Sequence, residues 1–309
     1  MVSSALAKAG DFCFLGRFCN VAAGERAGGR INPPVQVAKL QRRLWPPGRR
    51  SAEGMALAVT IRPVAGCEAV GAPPGIPNFA WVEAGRVARG QQPALSLAAY
   101  RELQETGVTG VLSLRPAIEY PDNERLRYAV EEERALCAAL GLRFLHVPCT
   151  DFQAPRPGTV IRALRLLDAE VEGGHAVYVH CLAGVGRTGV VCGAWQLLRG
   201  ESGTEALRQF AHFAHEAHGR RGPQRPLDEF LQRIGAHEQA WVLLSIARAL
   251  GAPAALPVEA IAPRRPARSA SHWRQRFREQ AERHLPRYFA QGQCGAAPPL
   301  DLGRDGAEK

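Results

Sequence analysis

The sequence has no long apolar run, no Cys-x-x-Cys pair and no internal repeat. Without about 18 consecutive apolar residues, we expect no transmembrane helix. The eight cysteines are irregularly spaced, and a chain of 309 residues can bury a core without disulfides. These absences favour a reducing compartment, which we interpret as the cytoplasm, and leave individual cysteines available for chemistry.

Lysine is absent from residues 76–250, where 19 arginines balance 19 acidic residues. The formal net charge of +10 therefore belongs to the flanks, of which residues 1–75 contribute +6 and residues 251–309 contribute +4. A sequence pI near 9.6 is typical of nucleic-acid-binding proteins. Because the central part shows no such bias, nucleic acid is a possible but disfavoured partner.

Composition divides the chain into three parts. Residues 1–75 are rich in glycine, proline and basic residues, and we interpret them as a basic, disordered leader. Their scarcity of acids also fits an organelle-targeting segment, or an extension upstream of a start at Met55. Residues 76–250 predict one globular domain. Residues 251–309 are interpreted as a Pro/Arg-rich linker and an amphipathic basic tail, which we expect to pack on the domain or to contact acidic surfaces. Both flanks are expected to be dispensable for the chemistry.

The central part alternates short apolar runs with helical patterns that end at glycine. The predicted strands are Val111–Leu114, Phe144–Val147 and Ala176–Cys181. The predicted helices are Leu97–Glu105, Glu124–Leu140, Gly158–Val171, Gly189–Leu198, Glu205–Ala217 and Leu227–Leu250. This alternation indicates an α/β fold with a central, mostly parallel sheet flanked by helices.

The most informative segment is HCLAGVGRTG at residues 180–189, which follows a predicted buried strand. Gly184 and Gly186 allow the backbone to curl so that successive N–H groups point at one anion. The helix predicted to begin near Arg187 adds its positive N-terminal end, and the guanidinium can bind two phosphate oxygens. Cys181 lies at the base of this positive loop, where its thiolate is favoured and is placed for attack on phosphorus.

The neighbours of the cysteine complete the predicted site. The phosphate-binding groups are the backbone N–H groups of Leu182, Ala183, Gly184, Val185, Gly186 and Arg187. Thr188 can donate its hydroxyl to the sulfur when a thiolate leaves, and His180 is expected to orient the loop through its ring nitrogens. A glycine-rich turn with a buried cysteine is the structural alternative, but the strand, loop and helix patterns agree with each other.

This segment resembles the signature of the Cys-x5-Arg protein tyrosine phosphatase superfamily. Residues 78–88 (NFAWVEAGRVA) resemble the opening of the small atypical dual-specificity phosphatases, and the similarity spans roughly residues 76–215. The resemblance implies a dual-specificity phosphatase-like fold, a phosphocysteine intermediate and no metal or other cofactor. It also implies that Cys181 is the nucleophile, Arg187 the phosphate-binding arginine and Thr188 the hydroxyl donor.

The resemblance further implies a general acid on a loop about thirty residues before the nucleophile. Asp151 lies 30 residues before Cys181, after a predicted strand and before a Pro-flanked loop. An aspartate in this context is, on its own, more often a turn residue or a helix cap. With the signature at this spacing we predict that Asp151 is the acid, and Asp122 and Glu119 are the competing candidates.

The sequence therefore predicts a protein tyrosine or dual-specificity phosphatase whose partner is a phosphoprotein. The alternatives are the same chemistry on a phosphoinositide or an RNA 5′ phosphate, and a phosphate-binding module without turnover. The resemblance implies that enzymes for highly phosphorylated lipids carry lysine in this loop, so the uncharged Leu182, Ala183 and Val185 weigh against such a lipid. His212, His215 and His218 recur on one predicted helix, but they drift around it, so we expect no metal site. Cys149 could form a protective disulfide with Cys181 if their strands were neighbours.

Overall fold

A five-stranded sheet forms the centre of the computed structural model, which describes residues 73, 75, 76, 78–123, 126–218, 231, 234–252 and 268–290. Its strands are β1 (Ala80–Glu83), β2 (Val87–Gly90), β3 (Gly110–Ser113), β6 (Arg143–His146) and β7 (Val177–His180). They lie in the order β1-β2-β7-β3-β6, in which only β1 is antiparallel to its neighbour. The predicted mostly parallel sheet is thereby confirmed, and β7 lies at its centre.

Helices cover this sheet. Further along the chain from β3, the two-residue strands β4 (Ile118–Glu119) and β5 (Tyr128–Ala129) pair with each other in a second, antiparallel sheet. The helices of the described residues are α1 (Leu97–Glu105), α2 (Val130–Ala139), α3 (Pro157–Glu172), α4 (Gly186–Leu198), α5 (Gly203–His218), α6 (His237–Leu250), α7 (Arg268–His284) and α8 (Pro286–Ala290). None of them is both long and apolar enough to cross a bilayer.

Local signals set several helix boundaries. The Ser96 hydroxyl accepts a hydrogen bond from the N–H of Ala99 and caps α1 at its N-terminus. Pro157 occupies the first turn of α3, where its missing N–H costs nothing. Gly107, Gly141 and Gly174, which follow α1, α2 and α3, all have positive φ, as a glycine helix stop requires.

One predicted helix begins later than its pattern indicates. The sequence predicts a helix from Glu124, but α2 begins at Val130 because Tyr128 pairs with Glu119 and Ala129 with Ile118. Glu124 itself lies outside the described residues, as does most of the stretch from Leu227 to α6. The strand pairing thus overrides helix propensity before Val130.

Helix α7 belongs to the main hydrophobic core. Its Phe277 and Ala281 are fully buried, and Leu285 and Tyr288 beyond it are 2% and 1% exposed. They pack in the same cluster as Leu164 of α3 and the buried face of α6. The C-terminal tail therefore packs on the domain, which is one of the two alternatives that the sequence left open. The predicted domain boundary at residue 250 would separate α7 from the core to which it belongs.

Candidate active site

Cys181 lies directly after the central strand, where β2 and β3 flank β7. Its side chain is 3% exposed at the base of the loop of residues 181–187. Gly184 has a φ of 68°, and a Cβ there would lie 2.2 Å from the carbonyl carbon of Gly90. Only glycine fits a loop pressed this closely against the end of β2.

Three donors from the N-terminal part of the domain bind the outer side of this loop. The N–H of Gln92 donates to the carbonyl of Leu182 at 3.0 Å. The side chain of Asn78 donates to the carbonyl of Ala183 at 2.9 Å, and Arg89 donates to the carbonyl of Gly184 at 2.7 Å. We call these three donors the collar.

The collar fixes the direction of the loop amides. Because three successive carbonyls point outward and are bound, their peptide N–H groups point toward the inside of the loop. Among the backbone hydrogen bonds of the described residues, none uses an N–H of residues 182–187 as donor. The loop therefore presents a set of inward amides, together with the N-terminus of α4, to an anion above Cys181.

Arg187 extends from the first turn of α4 into the same space and is 2% exposed. Its Nη1 donates to Glu119 Oε1 at 2.8 Å and to the carbonyl of Cys149 at 3.2 Å. Its Nη2 lies 3.1 Å from Asp151 Oδ1, and its Nε has no partner among the described residues. Burial alone would lower the pKa of this guanidinium, but the charges of Cys181, Asp151 and Glu119 outweigh burial and raise it.

The carboxylate of Glu119 binds two arginines, Arg187 and Arg115. Besides binding Arg187, its carboxylate accepts a 2.5 Å hydrogen bond from Nε of Arg115, and Glu119 is only 7% exposed. This side chain, which the sequence offered as a competing acid, is therefore held between two cations. Asp122, the other competitor, is exposed at a turn.

Asp151 lies on the loop between β6 and α3 and faces Arg187 in the loop of residues 181–187. Its Oδ1 lies at Arg187, and its Oδ2 accepts a 2.9 Å hydrogen bond from the hydroxyl of Tyr120. The side chain is 22% exposed, so solvent and a substrate can both reach it. The structure thus brings Asp151 and Arg187 together as the sequence predicted, while Tyr120 carried no sequence signal.

The C-terminal helices hold the loop that carries Asp151. The ring of Phe152 packs on Gly235, where a Cβ would lie 2.6 Å from the ring. The side-chain amide of Gln239, 1% exposed, lies between this loop and Gly186. Trp273 of α7 donates to the carbonyl of Pro155 at 3.1 Å. Residues beyond 234 therefore help to position the candidate acid.

A buried polar network lies behind Cys181. His180 Nε2 is 2.8 Å from Glu133 Oε1, and both side chains are fully buried. Glu133 also accepts hydrogen bonds from Tyr100, Tyr128 and Gln92. Burial alone would raise the pKa of Glu133, but the charge of His180 and these hydrogen bonds lower it to about 2. The network ties α1 and α2 to the end of β7, and it was not visible in the sequence.

The remaining predicted residues lie at or near the loop. The Thr188 hydroxyl, one residue beyond Arg187, is buried without a partner among the described residues. Cys149 is a free, buried thiol whose pKa burial raises to about 12. The strands that precede Cys149 and Cys181 are not neighbours, because β3 separates β6 from β7. The two thiols still lie near enough for their charges to interact, and a disulfide between them stays a prediction.

In the described part of the chain, no cluster of three or more histidine, cysteine or acidic side chains could hold a metal ion. His212 stacks edge-on against Phe213, and nothing is described of the His218 side chain. The three-histidine pattern on α5 thus gives no ligand set among the described residues.

Comparisons with known proteins point to one family. Residues 87–201 match a family model described as a DSP-PTPase phosphatase of polymorphic toxin systems, Tc-R-P. A mutant form of Tk-PTP is 30% identical, and the match covers 53% of this chain and 91% of that protein, with a TM-score of 0.37.

Two further solved structures are more distant. PTPMT1, solved in complex with PI(5)P, is 20% identical over 55% of this chain and 94% of its own, with a TM-score of 0.38. The catalytic domain of the PP-IP phosphatase SIW14 from S. cerevisiae is 22% identical over 51% of this chain and 84% of its own, with a TM-score of 0.37.

Proposed function

Because the chain belongs to the DSP-PTPase family of cysteine-dependent phosphatases, we propose that it hydrolyses phosphate monoesters on proteins, with phosphotyrosine as its main substrate. The observation that carries the proposal is the placement of Cys181 at the base of a loop of inward amides, with Arg187 and Asp151 facing it. These are the groups that a phosphocysteine mechanism needs.

The proposed reaction has two steps. In the first, the Cys181 thiolate forms an S–P bond while the P–O bond to the leaving group breaks, and protonated Asp151 gives its proton to the leaving oxygen. In the second, water attacks phosphorus, the S–P bond breaks, and the Asp151 carboxylate takes a proton from that water. The Thr188 hydroxyl donates to the departing thiolate.

Arg187 has one edge suited to the phosphoryl group. Nη1 is bound to Glu119 and to the carbonyl of Cys149, whereas Nε has no partner among the described residues. The edge formed by Nε and Nη2 can therefore bind two phosphate oxygens in parallel. Since Nη2 lies at Asp151, an arriving phosphate replaces the carboxylate there, and Glu119 keeps the guanidinium in place.

The loop side chains support a protein substrate. Leu182 and Ala183 are partly exposed and uncharged, and no lysine occurs in residues 76–250. A headgroup with several phosphates would find few additional cations on the loop itself. A phenyl phosphate, in contrast, needs one phosphate site and apolar surroundings for its ring.

The test is a panel of substrates assayed with pure protein in EDTA: phosphotyrosine and phosphoserine peptides, phosphoinositides, inositol pyrophosphate and triphosphate RNA. We expect the highest kcat/KM for phosphotyrosine peptides, and no turnover by Cys181→Ser or Arg187→Ala on any substrate. A higher kcat/KM for a phosphoinositide or RNA would refute the proposed protein substrate and leave the proposed chemistry in place. Substantial activity of Cys181→Ser would refute the mechanism.

A further inference from the structure

Asp151 accepts hydrogen bonds from two groups that the proposed reaction does not use, the adjacent N–H of Phe152 (to Oδ1, 3.1 Å) and Tyr120. Tyr120 follows β4 directly, and its half-buried hydroxyl donates to Asp151 Oδ2 at 2.9 Å. The two residues lie 31 positions apart on different loops. Their contact therefore depends on the tertiary fold and is independent of the Asp151–Arg187 pair.

Near both ends of this hydrogen bond, at Tyr120 and at Phe152, the backbone adopts a left-handed conformation that is unfavourable for residues other than glycine. Tyr120 has a φ of 52° and Phe152, next to Asp151, has a φ of 56°. They are the only non-glycine residues with positive φ in the part of the chain that the structure describes. Such a conformation is unfavourable for a bulky residue and persists only where surrounding contacts maintain it.

The hydroxyl of Tyr120 is suited to remain a donor. Burial raises the pKa of this phenol, and the neighbouring Asp151 carboxylate raises it further, so the hydroxyl stays protonated at neutral pH. Oδ2 accepts this O–H, whereas Oδ1 accepts the N–H of Phe152 at 3.1 Å and lies 3.1 Å from Nη2 of Arg187, so both oxygens of the carboxyl group are held.

We propose that Tyr120 is the positioning residue of the general acid, holding Oδ2 of Asp151 so that the carboxyl group faces the leaving oxygen. The inference rests on the proposed function. When phosphate takes Nη2 of Arg187, Asp151 loses its cationic partner, and the Tyr120 hydroxyl still holds the carboxyl group. The proton moves from Asp151 to the leaving oxygen as the P–O bond breaks, and Tyr120 keeps its own proton throughout.

Tyr120→Phe in the full chain tests the inference with aryl phosphates of graded leaving-group acidity. We expect kcat for phosphotyrosine to fall by roughly 5- to 50-fold, a part of the roughly 10²–10⁴-fold that a positioned acid supplies. The most activated ester should lose less than about twofold, because its leaving oxygen needs little protonation.

Tyr288→Phe is the matched control. Its hydroxyl also donates to an aspartate, Asp168, but this pair joins α8 to α3 outside the site. We expect this variant to keep the leaving-group dependence of the parent protein. The same loss in Tyr288→Phe would show that removing a buried hydroxyl acts through stability alone.

A double variant separates positioning from general damage. If Tyr120 acts through Asp151, adding Tyr120→Phe to Asp151→Asn lowers kcat for phosphotyrosine by less than about twofold. An equal loss for all leaving groups, no loss at all, or a full effect in the Asp151→Asn background would each overturn the inference. None of these results touches the phosphatase assignment, which depends on Cys181 and Arg187.

Discussion

The C-terminal helix α7 provides a sharp test of where the catalytic domain ends. Composition predicts that residues 251–309 are dispensable, but Phe277, Leu285 and Tyr288 are buried among α3, α4 and α6. Removing these residues exposes the apolar faces of the helices they cover. We therefore expect a protein of residues 76–250 to be unfolded or only partly folded.

The expected magnitude follows from the buried side chains. Truncating a fully buried phenylalanine to alanine costs roughly 3–5 kcal/mol, and a buried leucine roughly 2–5 kcal/mol. Deleting α7 and α8 removes both, together with the buried Tyr288. The loss is comparable to the roughly 5–15 kcal/mol that stabilises a whole domain.

Equilibrium unfolding in urea, monitored by circular dichroism, measures this effect. Phe277→Ala in the full chain should lower the free energy of unfolding by about 3–5 kcal/mol. Arg283→Ala, at an exposed position of the same helix, should change it by less than about 0.5 kcal/mol. If residues 76–250 unfold cooperatively at the urea midpoint of the full chain, the assignment of α7 to the core is refuted.

Three further predictions concern the site. Asp151→Asn should lower kcat for phosphotyrosine peptides by roughly 10²–10⁴-fold but have much less effect on an activated aryl phosphate, and an acid elsewhere would leave both rates unchanged. Asn78→Ala should weaken the binding of inorganic phosphate, because the carbonyl of Ala183 loses its hydrogen-bond donor. Calorimetry measures the affinity, and an unchanged affinity would show that the collar does not determine the direction of the loop N–H groups. Glu133→Gln should destabilise the protein at neutral pH. His180 lowers the folded-state pKa of Glu133 from its usual 4.5 to about 2. The stability that the Glu133 carboxylate contributes is therefore present above about pH 4.5 and is lost as the pH falls toward 2. Urea midpoints that fall equally in the parent protein and in Glu133→Gln between about pH 4.5 and about pH 2 would contradict this.

The loop that carries Cys181 is encoded locally, and the sequence was sufficient to predict its position between a strand and a helix. Cys181 and Arg187 are six positions apart in one strand–loop–helix unit, so their proximity depends on glycine conformation and helix initiation rather than on distant contacts. The central strand and the parallel sheet follow from apolar runs alternating with helices, which is also a local pattern. Asp151 was predicted from spacing relative to that loop.

The residues that complete the site depend on the order of the strands. Arg89 of β2 reaches the loop because β2 lies beside β7, and Asn78, just before β1, reaches it from the same side. Glu119 at the end of β4 binds Arg187, and Tyr120 after it binds Asp151. Sequence patterns show which face of a strand is buried, but they do not show which strands are neighbours. Hydrogen bonds between residues such as Asn78 and Ala183, which lie 105 positions apart, therefore form only once the sheet order is set.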